Sequence, residues 1–244
     1  MSIALGLKYA GGIVLATDSR VSGGHVDESI CKFDDKPIDT GVIVFVGAGA
    51  QTDIDAAMAY INDCCANANI TSLRMFRQFA EDLINYVANR SSRSDPDIEL
   101  LLGVRYQQNV KDAALSQTDL LKATFDQEDK VVHVETVRKH AAIGSGGPVA
   151  SYLLKCLYPK KSKEVIAGRE PAEKLSLYVI DEIIHAQVEG CGGPARLRTI
   201  TAVPFAKVKH ANDTKKWQMR EQMQPNLGKA DKVRRDAIFG YRGR

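Results

Sequence analysis

The chain has 244 residues, 44% hydrophobic and 26% charged, which fits a globular protein and excludes a disordered chain, a collagen or a small disulfide scaffold. No apolar run approaches the ~18 residues of a membrane span, and the first residues lack the basic stretch of a secretory signal, so a cytoplasmic protein without membrane contact is expected. The net charge of +3 is uneven: residues 205–244 carry 11 Lys or Arg and 4 Asp or Glu, a balance of +7, whereas the preceding chain carries 22 and 26, a balance of −4.

Residues 2–9 alternate, with Ile3, Leu5 and Leu7 on one face and Ala4, Gly6 and Lys8 on the other, which predicts a strand. Ala10-Gly11-Gly12 predicts a turn and residues 13–16 a second strand, closing a hairpin. Residues 41–46, rich in β-branched side chains, predict another strand. From 53 to 68, Ile54, Ala57, Met58 and Ile61 share one helical face. Thr71 is placed to cap a second helix with Leu73, Phe76, Ala80, Leu83 and Val87 in register. Strands are predicted at 99–106, 120–125 and 131–135, with a polar connection at 107–118 and a tight polar turn at 126–130. A short strand at 140–143 leads into Gly144-Ser145-Gly146-Gly147. Pro148 suits the first position of a helix running to about 158, with Val149, Tyr152, Leu153, Cys156 and Leu157 facing inward. Pro171 starts a further helix with Leu175, Val179, Ile183 and Ala186 on one stripe, and residues 198–203 form a last strand.

The order is strands, helix pair, strands, helix pair, strand. Each helix pair must bury its stripe on a sheet, so the expected fold is α+β, a four-layer αββα sandwich. Residues 1–204 suffice for that domain, and 205–244 form a basic C-terminal extension. A basic tail can bind nucleic acid. However, Trp217, Met219, Met223, Ile238, Phe239 and Tyr241 suit an arm packed on a neighbouring subunit, and the acidic body suits neither nucleic acid nor an anionic membrane. The five cysteines, Cys31, Cys64, Cys65, Cys156 and Cys191, are odd in number and lack metal-ligand spacing, so they read as free thiols. The histidines show no ligand spacing either, and no metal or cofactor is expected.

Gly47-Ala48-Gly49-Ala50-Gln51-Thr52 lies between a strand and a helix, as a dinucleotide-binding loop would. Thr52 stands where the third glycine belongs, and the loop opens two consecutive helices rather than a βαβ unit. These glycines are better suited to exposing backbone N–H groups beside a reacting centre. Ser2 offers such a centre. Once Met1 is removed, a terminal serine carries a hydroxyl beside an α-amine of pKa ~7.7–8.0, so one residue supplies both nucleophile and general base.

The run Leu5-Gly6-Leu7-Lys8-Tyr9-Ala10-Gly11-Gly12-Ile13-Val14-Leu15-Ala16-Thr17-Asp18-Ser19-Arg20, with Ala142-Ile143-Gly144-Ser145-Gly146 as a second match, resembles the catalytic β-type subunits of the proteasome family. These are N-terminal-nucleophile hydrolases of αββα fold, and the resemblance covers roughly residues 2–203. It implies that Ser2 is the nucleophile and that Asp18 pairs with an active-site lysine at Lys32. It further implies that Gly47 donates to an oxyanion and that Ser145 bonds near the terminal amine. Val21, Ile30, Phe45 and Gly49 fall where the specificity pocket is usually lined.

Two departures stand out. Serine replaces the family's threonine, losing the methyl group that fixes the rotamer. Near residues 188–193, Cys191 falls at a family serine and Val188 at a family aspartate, with Glu189 a one-residue-shifted substitute. With no propeptide expected ahead of Ser2, the chain is similar to the simpler bacterial members of HslV, Anbu and orphan-homologue kind. The resemblance implies a peptidase acting on peptides or unfolded proteins inside a homo-oligomeric ring, with an ATP-dependent unfoldase as a possible partner. The alternatives are a ring-forming structural subunit with a degenerate site, and an amidase acting on a small amide.

Overall fold

A computed structural model describes residues 2–23, 26–29, 33–38, 41–65, 68–91, 98–107, 116–126, 128–157, 166, 168–202 and 209–210. Strands β1 (Ala4–Tyr9) and β2 (Gly12–Thr17) form the expected hairpin, and the turn between them uses a left-handed Gly11 at φ +101°. β10 (His140–Ile143) pairs with β1 on one side, and β11 (Arg196–Thr201) pairs with β2 on the other. With β12 (Lys209–His210) beside β11, the first sheet has the order β10-β1-β2-β11-β12.

The second sheet runs β5 (Phe33–Ile38), β6 (Gly41–Gly49), β7 (Ile98–Gln107), β8 (Ser116–Asp126), β9 (Val131–Thr136) in simple meander order. All its pairings are antiparallel. A small hairpin of β3 (Arg20–Gly23) and β4 (Val26–Ser29) stands apart from both sheets.

Strand alternation dictates the layers. In β1, Leu5 and Leu7 face helices α3 (Gly147–Leu157) and α4 (Arg169–His185), in a core with Leu154, Ile180 and Ile183. Ala4, Ile13 and Leu15 face the other way and meet Val44, Val46, Leu101 and Leu120 of the second sheet. Gly6 permits this approach, because a Cβ there would stand 2.8 Å from Leu120 Cδ2. On the far side of the second sheet, Ile43, Phe45, Leu100 and Leu102 pack on Ala57, Ile61, Phe76 and Leu83 of α1 (Gln51–Cys65) and α2 (Leu73–Arg90). The result is the four-layer αββα sandwich expected from the sequence.

Several details differ from expectation. The cap of α2 is Ser72, whose Oγ accepts from Met75 N at 3.3 Å, while the Thr71 hydroxyl bonds the Met75 sulfur instead. α4 begins at Arg169, two residues before Pro171, which a first turn tolerates. Tyr152 is 41% exposed; Ala150 and Leu154 take the inward positions of α3. Strands β3, β4, β5 and β12 carried no legible pattern. β5 contains Pro37, which is accommodated because β5 is an edge strand.

Cys64, Cys65, Cys156 and Cys191 form no disulfide, and Cys31 lies outside the described residues. Lys209 and His210 pair with Thr199 and Arg198, so the start of the basic extension lies at the sheet edge; residues 211–244 are outside the described set. Among the described residues no helix is long and apolar enough to cross a membrane.

Candidate active site

β1 starts at Ala4, so Ser2 and Ile3 lie just ahead of the β1–β2 ladder, and their backbone groups are satisfied by other partners. The Ile3 N–H donates to Asp18 Oδ1 at 3.2 Å. The Ile3 carbonyl accepts from Thr17 Oγ1 at 2.7 Å and from Asp18 N at 3.2 Å. The Ser2 carbonyl accepts from Ser145 Oγ at 3.3 Å and from Gly146 N at 3.4 Å. The peptide joining Ser2 to Ile3 is thus held on both its polar atoms. Ser2 is 4% exposed.

Asp18, wholly buried at the end of β2, has its second oxygen 2.9 Å from the Gly192 N–H, 174 residues away. A buried carboxylate needs donors of this kind to replace water. The bond ties the loop after α4 to the start of the chain. Within that loop Glu189 is exposed, and the bond it makes here is through its backbone carbonyl, 3.0 Å from Ser145 Oγ. Val188 packs on the helix-side core. Cys191, 4% exposed, sits with its sulfur 3.8 Å from Ser145 Oγ.

Gly144 adopts φ +82°, and a Cβ there would overlap the Ser2 carbonyl oxygen; it would also stand 3.0 Å from the Ala48 methyl. The Gly47-Ala48 end of β6 therefore reaches the turn that carries Ser145. Ser2, Asp18, Ser145 and Cys191 are brought together, with Gly47 in the strand end alongside.

Other predicted residues fall elsewhere. Phe45, expected in a specificity pocket, is 1% exposed and packs in the core beneath α1 and α2, because alternation along β6 turns it toward the helices. Gly49 closes β6 at φ +131° and is half-buried. Val21 lies in β3 opposite Glu28, and nothing of its side chain is described. Lys32 and Ile30 lie outside the described residues.

One residue of this neighbourhood was missed. Glu99, opposite Ala48 in the β6–β7 register, accepts the Gly144 N–H on Oε2 at 2.6 Å. Nothing in its local sequence marks it: it is a lone carboxylate at the head of the apolar run Leu100-Leu101-Leu102, and its partner is 45 residues away. Among the described residues no cluster of three or more His, Cys, Asp or Glu could hold a metal ion.

No family model and no curated protein sequence matches this chain. Solved structures do. Anbu (ancestral beta-subunit) from Yersinia bercovieri superposes with a TM-score of 0.71 at 14% identity, covering 93% of this chain and 95% of that one. A Gly-1 mutant of Anbu from Hyphomicrobium sp. strain MC1 gives 0.69 at 16% identity, covering 95% and 98%. The Anbu complex from Pseudomonas aeruginosa, solved as a helical assembly, gives 0.67 at 14% identity, covering 96% of each chain. The fold is accordingly that of the proteasome-like Anbu proteins, an N-terminal-nucleophile hydrolase fold.

Proposed function

We propose that this chain is a proteasome-type peptidase whose nucleophile is the Ser2 hydroxyl, freed by removal of Met1. The observation that carries the reading is the fixed Ser2–Ile3 peptide: Asp18, Ser145 and Gly146 hold its N–H and C=O, leaving the amine and the hydroxyl of Ser2 for chemistry. That is the preorganisation such a nucleophile needs. The α-amine takes the hydroxyl proton as Ser2 Oγ attacks the scissile carbonyl carbon. The Gly47 N–H receives the developing oxyanion, a contribution of ~2.7–4 kcal/mol in comparable hydrolases. Collapse expels the amine product, which carries away the proton, and leaves an acyl-ester on Ser2. Water then hydrolyses the ester. By the sequence resemblance, Lys32 is assigned to stabilise the alkoxide.

The likeness to an Anbu complex solved as a helical assembly supports a homo-oligomer. Peptide or unfolded protein is the substrate class assigned to it by the resemblance of its sequence to proteasome β-type subunits. A second reading, a structural subunit with a degenerate site, is favoured by Val188 at the expected aspartate and by the exposure of Glu189. Intact mass and a peptide-epoxyketone probe separate them. Protein beginning at Ser2 should form an adduct spanning the hydroxyl and the amine, and Ser2→Ala should form none and hydrolyse no peptide. Retained Met1, or no adduct on protein with a free Ser2, selects the structural subunit.

A further inference from the structure

We infer that Glu99 is a positioning residue for the Ser2 site, an inference that rests on the proposed function for its catalytic consequence but not for its structural one. Three observations converge on it. Glu99 Oε2 accepts the Gly144 N–H at 2.6 Å, across from one sheet to the other. A Cβ on Gly144 would overlap the Ser2 carbonyl oxygen, and the next two residues donate to that same oxygen. Glu99 also stands opposite Ala48, one pair along from Leu100–Gly47, so its strand flanks the strand end assigned to the oxyanion.

The sequence and topology explain why a carboxylate is needed. β10 ends at Ile143, and the left-handed Gly144 departs from the β1 ladder. Its N–H is part-buried, with the Ala48 methyl close to Gly144, and takes Glu99 as its acceptor. An N–H there without an acceptor is penalised. Lys122, on the same face of β8, lies 3.7 Å from Glu99 Oε1 and holds the other oxygen, which leaves Oε2 aimed at Gly144. The Ser145 turn is thereby referenced to the second sheet as well as to β1. A shift of that turn moves the oxygen and nitrogen that fix Ser2, and small displacements of positioned groups are costly to rate.

The test uses the full chain and two readouts. Glu99→Met removes the acceptor, Glu99→Gln keeps one, and Glu99→Asp keeps the charge but withdraws it by one methylene. Hydrogen exchange of a peptide spanning residues 140–147 should accelerate about tenfold or more in the Met and Asp variants and stay near wild type in Gln. If the Met variant folds poorly, the Asp variant carries the comparison. On protein with a free Ser2, kcat for a short peptide should fall about fivefold or more in Met and Asp, with KM within about twofold and Gln retaining most activity. Unchanged exchange in both variants would overturn the inference, as would accelerated exchange with unchanged kcat in an active protein. Absence of Ser2-dependent hydrolysis in the wild type would overturn the proposed function alone, and the exchange result would stand by itself.

Discussion

The Gly144 backbone runs so close to Ser2 that any side chain at 144 would overlap the Ser2 carbonyl oxygen. That contact joins a turn in the middle of the chain to its second residue, and the left-handed φ of +82° adds a conformational demand of its own. Gly144→Ala is therefore expected to lose stability on two counts. The backbone strain alone is worth ~1–3 kcal/mol. Urea denaturation would read it, and a midpoint equal to wild type would mean that the turn can move away from Ser2 without cost.

Asp18 joins Ile3 to Gly192 through its two carboxylate oxygens. Asp18→Asn preserves shape but turns one acceptor into a donor, setting an NH2 group against a buried backbone N–H. One unsatisfied buried amide costs ~1–3 kcal/mol. The same change should loosen the loop after α4, so proteolysis near residues 186–193 should quicken. Wild-type stability in the Asn variant would show that one of the two amides has another acceptor.

Ser145 shares a single hydroxyl proton between the Ser2 and Glu189 carbonyls. Ser145→Ala leaves Gly146 N still donating to Ser2, so the stability loss should be modest, ~0.5–1.5 kcal/mol. The effect on probe labelling of Ser2 should be the larger of the two. A variant that loses stability but labels at the wild-type rate would reduce Ser145 to a structural link between the turn and the loop after α4.

The layers were legible because the periodicities were clean. β1 alternates strictly, and α2 repeats its apolar residues at helical spacing, so both fix which face is buried. β5 was illegible for the opposite reason: Phe33, Asp34, Asp35, Lys36, Pro37 and Ile38 hold too few apolar residues to alternate, and only pairing with β6 makes them a strand. At the site, Ser2, Asp18 and Ser145 could be read from local motifs, whereas Glu99 could not. Its partner is 45 residues away, and a lone carboxylate ahead of an apolar run carries no spacing that names an acceptor for Gly144. Phe45 was misplaced because a motif position does not tell which face of β6 a side chain takes.

His140 opens β10 opposite Leu7, four residues before Gly144. Burial, then the nearby charges of Lys139 and Lys155, hold its pKa below the ordinary 6.5. The folded chain therefore resists a proton that the unfolded chain accepts. Stability from this group is complete above pH 6.5 and declines as the pH falls from 6.5 through the lowered folded-state pKa. Carboxylates titrate mainly lower, near pH ~4, so the upper part of that window belongs to histidines. His140→Gln should flatten the fall without changing stability above neutrality by more than its packing loss. Denaturation midpoints of both proteins, taken at intervals downward from neutral pH, should converge as the pH drops. Parallel curves would mean that His140 is protonated as easily in the fold as out of it, and that the acid sensitivity of β10 lies with another group.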